Sequence, residues 1–585
     1  SLQATVPAVT GNLLINEIAA LNQGSVPNGS TSPAWIELFN GTSQAIDLGG
    51  MSLSDDVLRP DRFVFPPNTV LAAQGYLTIW CDNATHAPGL HTGFALNAEG
   101  QTMVLSSRDT TGTIIHDVVH FGLQIPNLTI GRYPAGSDTW TLTLPTPGTP
   151  NQPQSLGSPN ALRLNEWMAS PNTGDDWLEL YNPDPLPVAL GGLYLTDDPT
   201  ELTESRLPSL SFIAAGGFVK FIADEKPENG ADHVDFKLSS SGETVALVAA
   251  NGTTVIDQVS FGAQTAGTSQ GRLPDGASTW QFFPTTHSPG ESNYLPLDNI
   301  VISEVLTHSD PPLEDAIELH NPSTTTVDLG GWYLSDSRNQ LRKYRIPTGT
   351  SVPPCGFKFF YEYQFNADTN APTSFSLNSA RGDEVHLSAA TPDGAQLLGY
   401  RASAQFGPAA NGVTFGRHPT SLGTDFTALS RRTLGADNPS SLAEFRSGQG
   451  LPNALPKVGP VVISEIQYHP PDLGTNDNTR DEFIELLNLT TAPVPLFDPS
   501  HPENTWRFND AVDFSLPPNI TLAAGQTLLI VSFDPQNNAT DLAAFRATYG
   551  LDNSTPILGP YSGRLANSTD NLELLRPDPP QTTGP

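Results

Sequence analysis

The stretch Leu14-Ile-Asn-Glu17-Ile, then Trp35-Ile-Glu37-Leu-Phe-Asn40, then Asp47-Leu-Gly-Gly-Met-Ser-Leu-Ser-Asp55 decides how this chain folds. Each piece is a short apolar run closed by Asn, Gly or Asp, the pattern of strands joined by tight turns. The same order then recurs along the chain, which makes it a repeat. The opening element returns as Leu164-Asn-Glu166-Trp, Val301-Ile-Ser-Glu304-Val and Val462-Ile-Ser-Glu465-Ile, with successive glutamates 149, 138 and 161 positions apart. The second element returns as Trp177-Leu-Glu179-Leu-Tyr-Asn182, Ala316-Ile-Glu318-Leu-His-Asn321 and Phe483-Ile-Glu485-Leu-Leu-Asn488. The Gly-Gly element returns twice, as Ala189-Leu-Gly-Gly-Leu-Tyr-Leu-Thr-Asp197 and Asp328-Leu-Gly-Gly-Trp-Tyr-Leu-Ser-Asp336. In the fourth copy Leu496-Phe-Asp-Pro-Ser and Trp506-Arg-Phe stand instead.

Further along, Tyr76 to Trp80, Phe218 to Ile222, Phe357 to Phe360 and Leu528 to Phe533 read as central strands. Three copies finish on Gly131-Arg-Tyr-Pro, Gly271-Arg-Leu-Pro and Gly416-Arg-His-Pro, each followed by an aromatic residue, Trp140, Trp280 or Phe426. The fourth has no such ending. It carries instead Asp541 to Tyr549, a short helix with Leu542, Phe545 and Tyr549 on one face. The expected organisation is an extended segment at 1–12, then domains at 13–151, 161–293, 299–438 and 459–585. The fourth domain is expected to be incomplete and to hold the helical insertion. Short, turn-bounded strands throughout imply an all-β chain of tandem β-sandwiches, and short Pro-containing linkers imply beads on a semi-rigid rod.

Composition narrows the function classes. Lys plus Arg is 27 against 61 Asp plus Glu among 585 residues, a net charge of −34 that repels nucleic acid. Hydrophobic residues at 37 % suffice for packed cores, and no run of about 18 apolar residues offers a membrane span. Two cysteines, Cys81 and Cys355, cannot build a disulfide framework. Few lysines and many Ser, Thr and Asn residues fit a secreted or cell-surface protein.

In order, Ile-Asn-Glu-Ile, Trp-Ile-Glu-Leu-x-Asn, Asp-Leu-Gly-Gly-x-x-Leu-Ser-Asp and Gly-Arg-x-Pro resemble the lamin tail domain. The resemblance implies an immunoglobulin-like sandwich, in three complete copies and one incomplete one, of the kind found in tandem in secreted prokaryotic proteins. Nuclear scaffolding and DNA contacts do not carry over, because no heptad run exists and the charge is negative. The family supplies a fold more readily than a function.

The strand glutamates form pairs: Glu17 with Glu37, Glu166 with Glu179, Glu304 with Glu318, Glu465 with Glu485. Paired carboxylates suit acid–base hydrolysis, but an identical pair in every repeat is what a structural role requires. We therefore expect no catalytic residue. Arg132, Arg272 and Arg417 recur once per complete repeat and are the expected ion-pair partners of those glutamates. Asp55, Asp56, Asp197 and Asp198 form acidic turns that allow calcium, although the simpler reading is solvated turns. No other cofactor is implied. Arg381-Gly382-Asp383 spells an integrin-binding tripeptide but sits where the repeat needs a strand entry. Ten Asn-x-Ser/Thr sequons fall at Asn28, Asn40, Asn83, Asn127, Asn251, Asn488, Asn519, Asn538, Asn553 and Asn567.

The leading expectation is a non-enzymatic extracellular structural or adhesive protein. A sandwich lacking its last strands exposes an edge that templates strand addition. Either the missing strands lie outside this sequence, or a neighbouring chain supplies one and a head-to-tail filament follows. The strand-exchange candidates are Leu2, Ala4, Val6 and Val9 as donors, and Leu572 and Leu574 beside the acceptor. Alternatives are a polysaccharide-binding array stacking sugars on Trp80 or Tyr361, and an accessory scaffold of a larger secreted enzyme.

Overall fold

The opening run of each repeat is apolar on both sides of its glutamate, so it forms a strand that both faces can bury. In the computed structural model, which describes residues 13–577 apart from 30, 84–86, 111 and 422, the strand Leu13–Ala19 is buried over its whole length. It pairs antiparallel with Ala34–Asn40. The same pair recurs as Arg163–Met168 with Asp176–Tyr181, Val301–Leu306 with Ala316–His320, and Val461–Gln467 with Phe483–Asn488. All four pairs carry the same β-bulge, a register shift between Ile15 and Glu17, Leu164 and Glu166, Ile302 and Glu304, and Ile463 and Glu465. The extra residue is Asn16, Asn165, Ser303 or Ser464. The shift sets each first glutamate directly opposite the second.

The asparagine ending the second strand is a buried clip. Asn40 Nδ2 donates to the carbonyls of Gln44, Leu71 and Ala72; Asn321 and Asn488 make the equivalent three bonds, and Asn182 donates to Leu186 and Ala214. In the Gly-Gly turns the second glycine is left-handed, with φ of 84° at Gly50, 86° at Gly192 and 91° at Gly331. A Cβ on the first would press on the opposite turn, 3.2 Å from Pro67 Cα at Gly49.

Two sheets face each other in each repeat. In the first, Thr129–Arg132, Leu13–Ala19, Ala34–Asn40 and Tyr76–Cys81 form the centre of one sheet, and Gly112–Phe121, Gln101–Asp109 and Ser52–Ser54 build the other. Ile15, Ile36 and Leu38 share one core with Leu53, Met103 and Leu105. The molecule is all-β, a tandem array of immunoglobulin-like sandwiches.

The described residues fall into two compact units. The first contains repeats one and two with the hairpin tip Ser388–Arg401. Within it the two repeats interlock: Leu123 is buried in the second repeat's core and Phe212 in the first's. Phe212 N donates to Leu123 O at 2.9 Å, and Leu123 N donates to Ser211 Oγ at 3.2 Å. The second unit holds the rest of repeat three and the fourth segment. There Val461–Gln467, Phe483–Asn488, Thr527–Val531 and Ile557–Leu558 face a sheet of Ser562–Gly563, Val512–Ser515, Arg507–Asp510 and Leu572–Leu575. The helix expected at 541–549 spans Ala539–Tyr549 and packs Leu542, Phe545 and Tyr549 against Phe483 and Val531. One-turn helices at Glu362–Phe365 and Leu442–Phe445 carry no periodic signal in the sequence.

Candidate functional site

The paired glutamates are the repeat's most distinctive chemistry, and in three repeats they are sealed. Glu17 and Glu37 are both fully buried. Glu17 accepts from Thr129 Oγ1 at 2.6 Å, Thr146 N at 3.0 Å and Thr146 Oγ1 at 3.1 Å. Glu37 accepts from Gly148 N at 2.5 Å and, weakly, from the bulge residue Asn16. Burial pushes Glu17 up to about 7. Burial, with Glu17 beside it, pushes Glu37 up to about 8. A buried pair with no cation holds at least one proton at neutral pH.

The second repeat repeats this arrangement. Ser269 Oγ donates to Glu166 at 2.5 Å, Ser288 N at 3.1 Å, and Gly290 N donates to Glu179 at 2.6 Å. The clamp is thus Thr146-Pro-Gly148 or Ser288-Pro-Gly290, closed by Asn151 or Asn293, whose Nδ2 holds the Asn16 or Asn165 carbonyl. In the third repeat Thr414 and Thr433 clamp Glu304, but fifteen more residues separate Thr433 from Asn453 than separate Thr146 from Asn151. Neither Glu318 oxygen accepts a well-formed hydrogen bond among the described residues, with only weak compensation from Ser303, and burial pushes Glu318 up to about 8.

The expected glutamate–arginine pairs do not form. Arg132 Nη2 lies 2.9 Å from Asp117 Oδ2 and Arg272 Nη2 lies 2.9 Å from Asp257 Oδ2. Each guanidinium also donates from Nε to a bulge-strand carbonyl, Ile15 O or Leu164 O, at 2.8 Å, and lies over Trp140 or Trp280. The aspartate wins because it sits on the facing sheet's hairpin, while the glutamates are already saturated by hydroxyls and amides. Four residues before Phe121 and Phe261 stands Asp; four before Phe406 stands Ala402, and Arg417 has no carboxylate partner among the described residues.

The fourth segment keeps the glutamate pair but not its cover. Glu465 is exposed and Glu485 half-buried. The bulge residue Ser464 still donates from Oγ to Glu485 Oε1 at 2.8 Å, as Asn165 does to Glu179 at 3.0 Å. In repeats one to three the outer edge of the opening strand pairs with Thr129–Arg132, Ser269–Arg272 or Thr414–Thr420. Among the described residues nothing pairs with the outer edge of Val461–Gln467. A cleft of about 960 Å³ lies against it, lined by Val461, Ile463 and Trp506 of the fourth segment and by Pro408, Val413 and Phe415 of the third repeat. Leu572 and Leu574 belong to a strand paired with Arg507–Asp510, whose own far edge is also unpaired among the described residues. The donor candidates Leu2, Ala4, Val6 and Val9, and the segment 1–12, lie outside the described residues.

The model of the lamin tail domain matches residues 7–122, 157–263 and 296–401, more than half of the sequence. The chain belongs to the lamin tail domain family. No curated protein and no solved structure matches it. Each matched stretch of the lamin tail repeats ends before the Ser/Thr-x-Gly-Arg strand that covers the glutamates.

The remaining candidates on this lamin tail protein are tied up locally. Asp55 pairs with Arg62, and Asp56 with Arg59 at 2.8 Å. Asp198 accepts from Thr200 N and Oγ1. Asp197, where burial and the neighbouring Glu204 raise the carboxyl to about 7, is half-buried. Among the described residues no group of three His, Cys, Asp or Glu side chains is placed to hold a metal ion. Asp383 of the Arg-Gly-Asp tripeptide accepts from Asn378 N and Glu384 N, which ties it to its own turn. Tyr361 is buried against Phe445, and Trp80 is half-buried. The sequon residues Asn40 and Asn488 are the buried clips, closed to a glycan. Cys81 is buried and Cys355 exposed, both as free thiols.

Proposed function

We propose that this chain is a non-enzymatic structural or adhesive array of an extracellular or cell-surface assembly, a filament or stalk subunit joined head to tail to its neighbour through strand addition at the fourth segment. One observation carries the reading: the outer edge of the same bulged, glutamate-bearing strand is paired in three repeats and unpaired among the described residues in the fourth. A hydrolytic pair must reach substrate. The pairs in repeats one to three are fully buried, which favours a structural role. The extracellular setting rests on composition, with 27 basic residues in 585 and abundant Ser, Thr and Asn.

The test is negative-stain microscopy and cross-linking mass spectrometry on native material. Linear polymers with cross-links from the 461–467 region to a neighbouring chain are expected. Discrete particles without such cross-links would contradict the assembly.

A further inference from the structure

Each of the first three repeats closes on the same anchor. Asn151, Asn293 and Asn453 donate from Nδ2 to the bulge carbonyl, Asn16 O, Asn165 O or Ser303 O, and to the carbonyl of Arg132, Arg272 or Arg417. The chain beyond the anchor then takes one of two courses. In the first repeat it turns back along its own closing hairpin: Pro153 stands opposite Thr143, and Gln154 N donates to Leu142 O at 2.8 Å. In the third it does the same, with Pro456 opposite Leu429, Lys457 N donating to Ala428 O at 2.7 Å and Ser430 N to Leu455 O at 2.8 Å. In the second it leaves. Leu295–Pro296 pairs in parallel with Tyr400 and Arg401 instead, and nothing among the described residues pairs with the outer edge of Trp280–Phe283. Phe282, 55 % exposed, stands at the position that Leu142 and Ala428 hold in their hairpins.

The segment that leaves is built like the one that stays. Asn293-Tyr-Leu-Pro-Leu297 and Asn453-Ala-Leu-Pro-Lys457 share the anchor, the leucine and the proline at one spacing. Seated as the third repeat's segment is, Leu297 N would donate to Phe282 O. The second bond of that seat is lost, because two residues after Phe282 stands Pro284, without an N–H, where two after Ala428 stands Ser430. The seat on the third repeat's strand is latched. Arg401 is buried, donates to Glu291 Oε2 and to Ser292 O, both at 2.7 Å, and lies 4.0 Å over the Tyr294 ring. Gly399, with φ of 73°, sits so close to Leu273 that a Cβ there would collide with it. Leu297 packs beside the third repeat's core.

We propose that residues 294–297 are a strap with two seats, the edge of Leu397–Phe406 that it fills in this structure and the bare edge of Trp280–Phe283, and that Arg401 is the latch that selects the first. In the second seat the strap lets go of residues 397–401, covers the exposed Phe282 and satisfies its outward carbonyl. That seat lacks one hydrogen bond and the Arg401 contacts, which is why the first is populated. Arg401 is thus a positioning residue for a segment it does not belong to. The proposal is independent of head-to-tail assembly at the fourth segment.

The experiment is hydrogen exchange on the full chain, resolved to short peptides, comparing it with Pro284→Ser, Arg401→Met and the double variant. Serine at 284 restores the donor that Ser430 supplies in the third repeat. Exchange across 279–286 is expected to slow from the unaltered chain to Pro284→Ser to the double variant, by about threefold or more in the last, while exchange across 397–401 quickens in step. A merely structural Arg401 would quicken 397–401 and leave 279–286 as it was, and that result would overturn the strap. Exchange unchanged at 279–286 in all four chains would overturn it too. Unaltered protection of 13–19 and 163–168 shows that the fold persists. Where Arg401→Met unfolds the chain, Pro284→Ser decides, since Pro284 is exposed and lies outside the latch: slowing at 279–286 with quickening at 397–401 supports the second seat, and unchanged exchange at both overturns it.

Discussion

Glu318 is a buried carboxyl without the amide and asparagine donors that Glu37 and Glu179 enjoy. An apolar replacement of similar length removes an uncompensated polar group, so Glu318→Met is expected to stabilise the third repeat by about 1–3 kcal/mol, read from its denaturation midpoint. The glutamate pairs also fix a pH dependence. Glu17, Glu37 and Glu318 are raised from 4.5 to about 7, 8 and 8. Below about 4.5 their contribution is full, since folded and unfolded chains are both protonated there. As pH climbs to about 8 the unfolded chain gives up protons that the folded one keeps, and stability falls by on the order of a few kcal/mol per repeat. Thermal melts between pH 4.5 and 8.5 should show Tm declining across that window; a rising Tm would contradict the buried, proton-holding pair. At this scale the sequence is half legible. The spacing of the glutamates locates the pairs, but the arginine's partner is hidden, because Asp117 and Asp257 share only a position relative to a phenylalanine and the third repeat replaces them with Ala402.

At the scale of elements, the strands and the helix Ala539–Tyr549 follow from periodicity and turn residues. What packs across a linker does not follow. Leu123 and Phe212 read as ordinary residues of loop and strand, yet each completes the other repeat's core. Phe212→Ala is expected to cost about 3–5 kcal/mol and to split one calorimetric transition of repeats one and two into two. An unchanged single transition would mean that the exchanged side chains do not couple the repeats. The clamp was legible only in part: Thr146-Pro-Gly148 and Ser288-Pro-Gly290 share a visible pattern, whereas the inserted residues after Thr433 break it. That break coincides with Glu318, whose oxygens accept no well-formed hydrogen bond among the described residues.

At the scale of the whole molecule, one opening strand recurs four times and differs in a single copy. Repeats one to three saturate the outer edge of their opening strand with their own closing hairpin, and an edge so paired has nothing left to offer a partner. The fourth keeps the bulge, the opposed glutamates and the apolar strand while leaving that edge unpaired among the described residues. The measurement that tests it most directly is hydrogen exchange resolved to the four opening strands, in the dilute chain and in native assembled material. In the dilute chain, amides of 461–467 should exchange far faster than those of 13–19, 163–168 and 301–306, and they should become slow on assembly. Equal protection of all four strands in the dilute chain, or fast exchange at 461–467 persisting in the assembled material, would contradict the open acceptor edge.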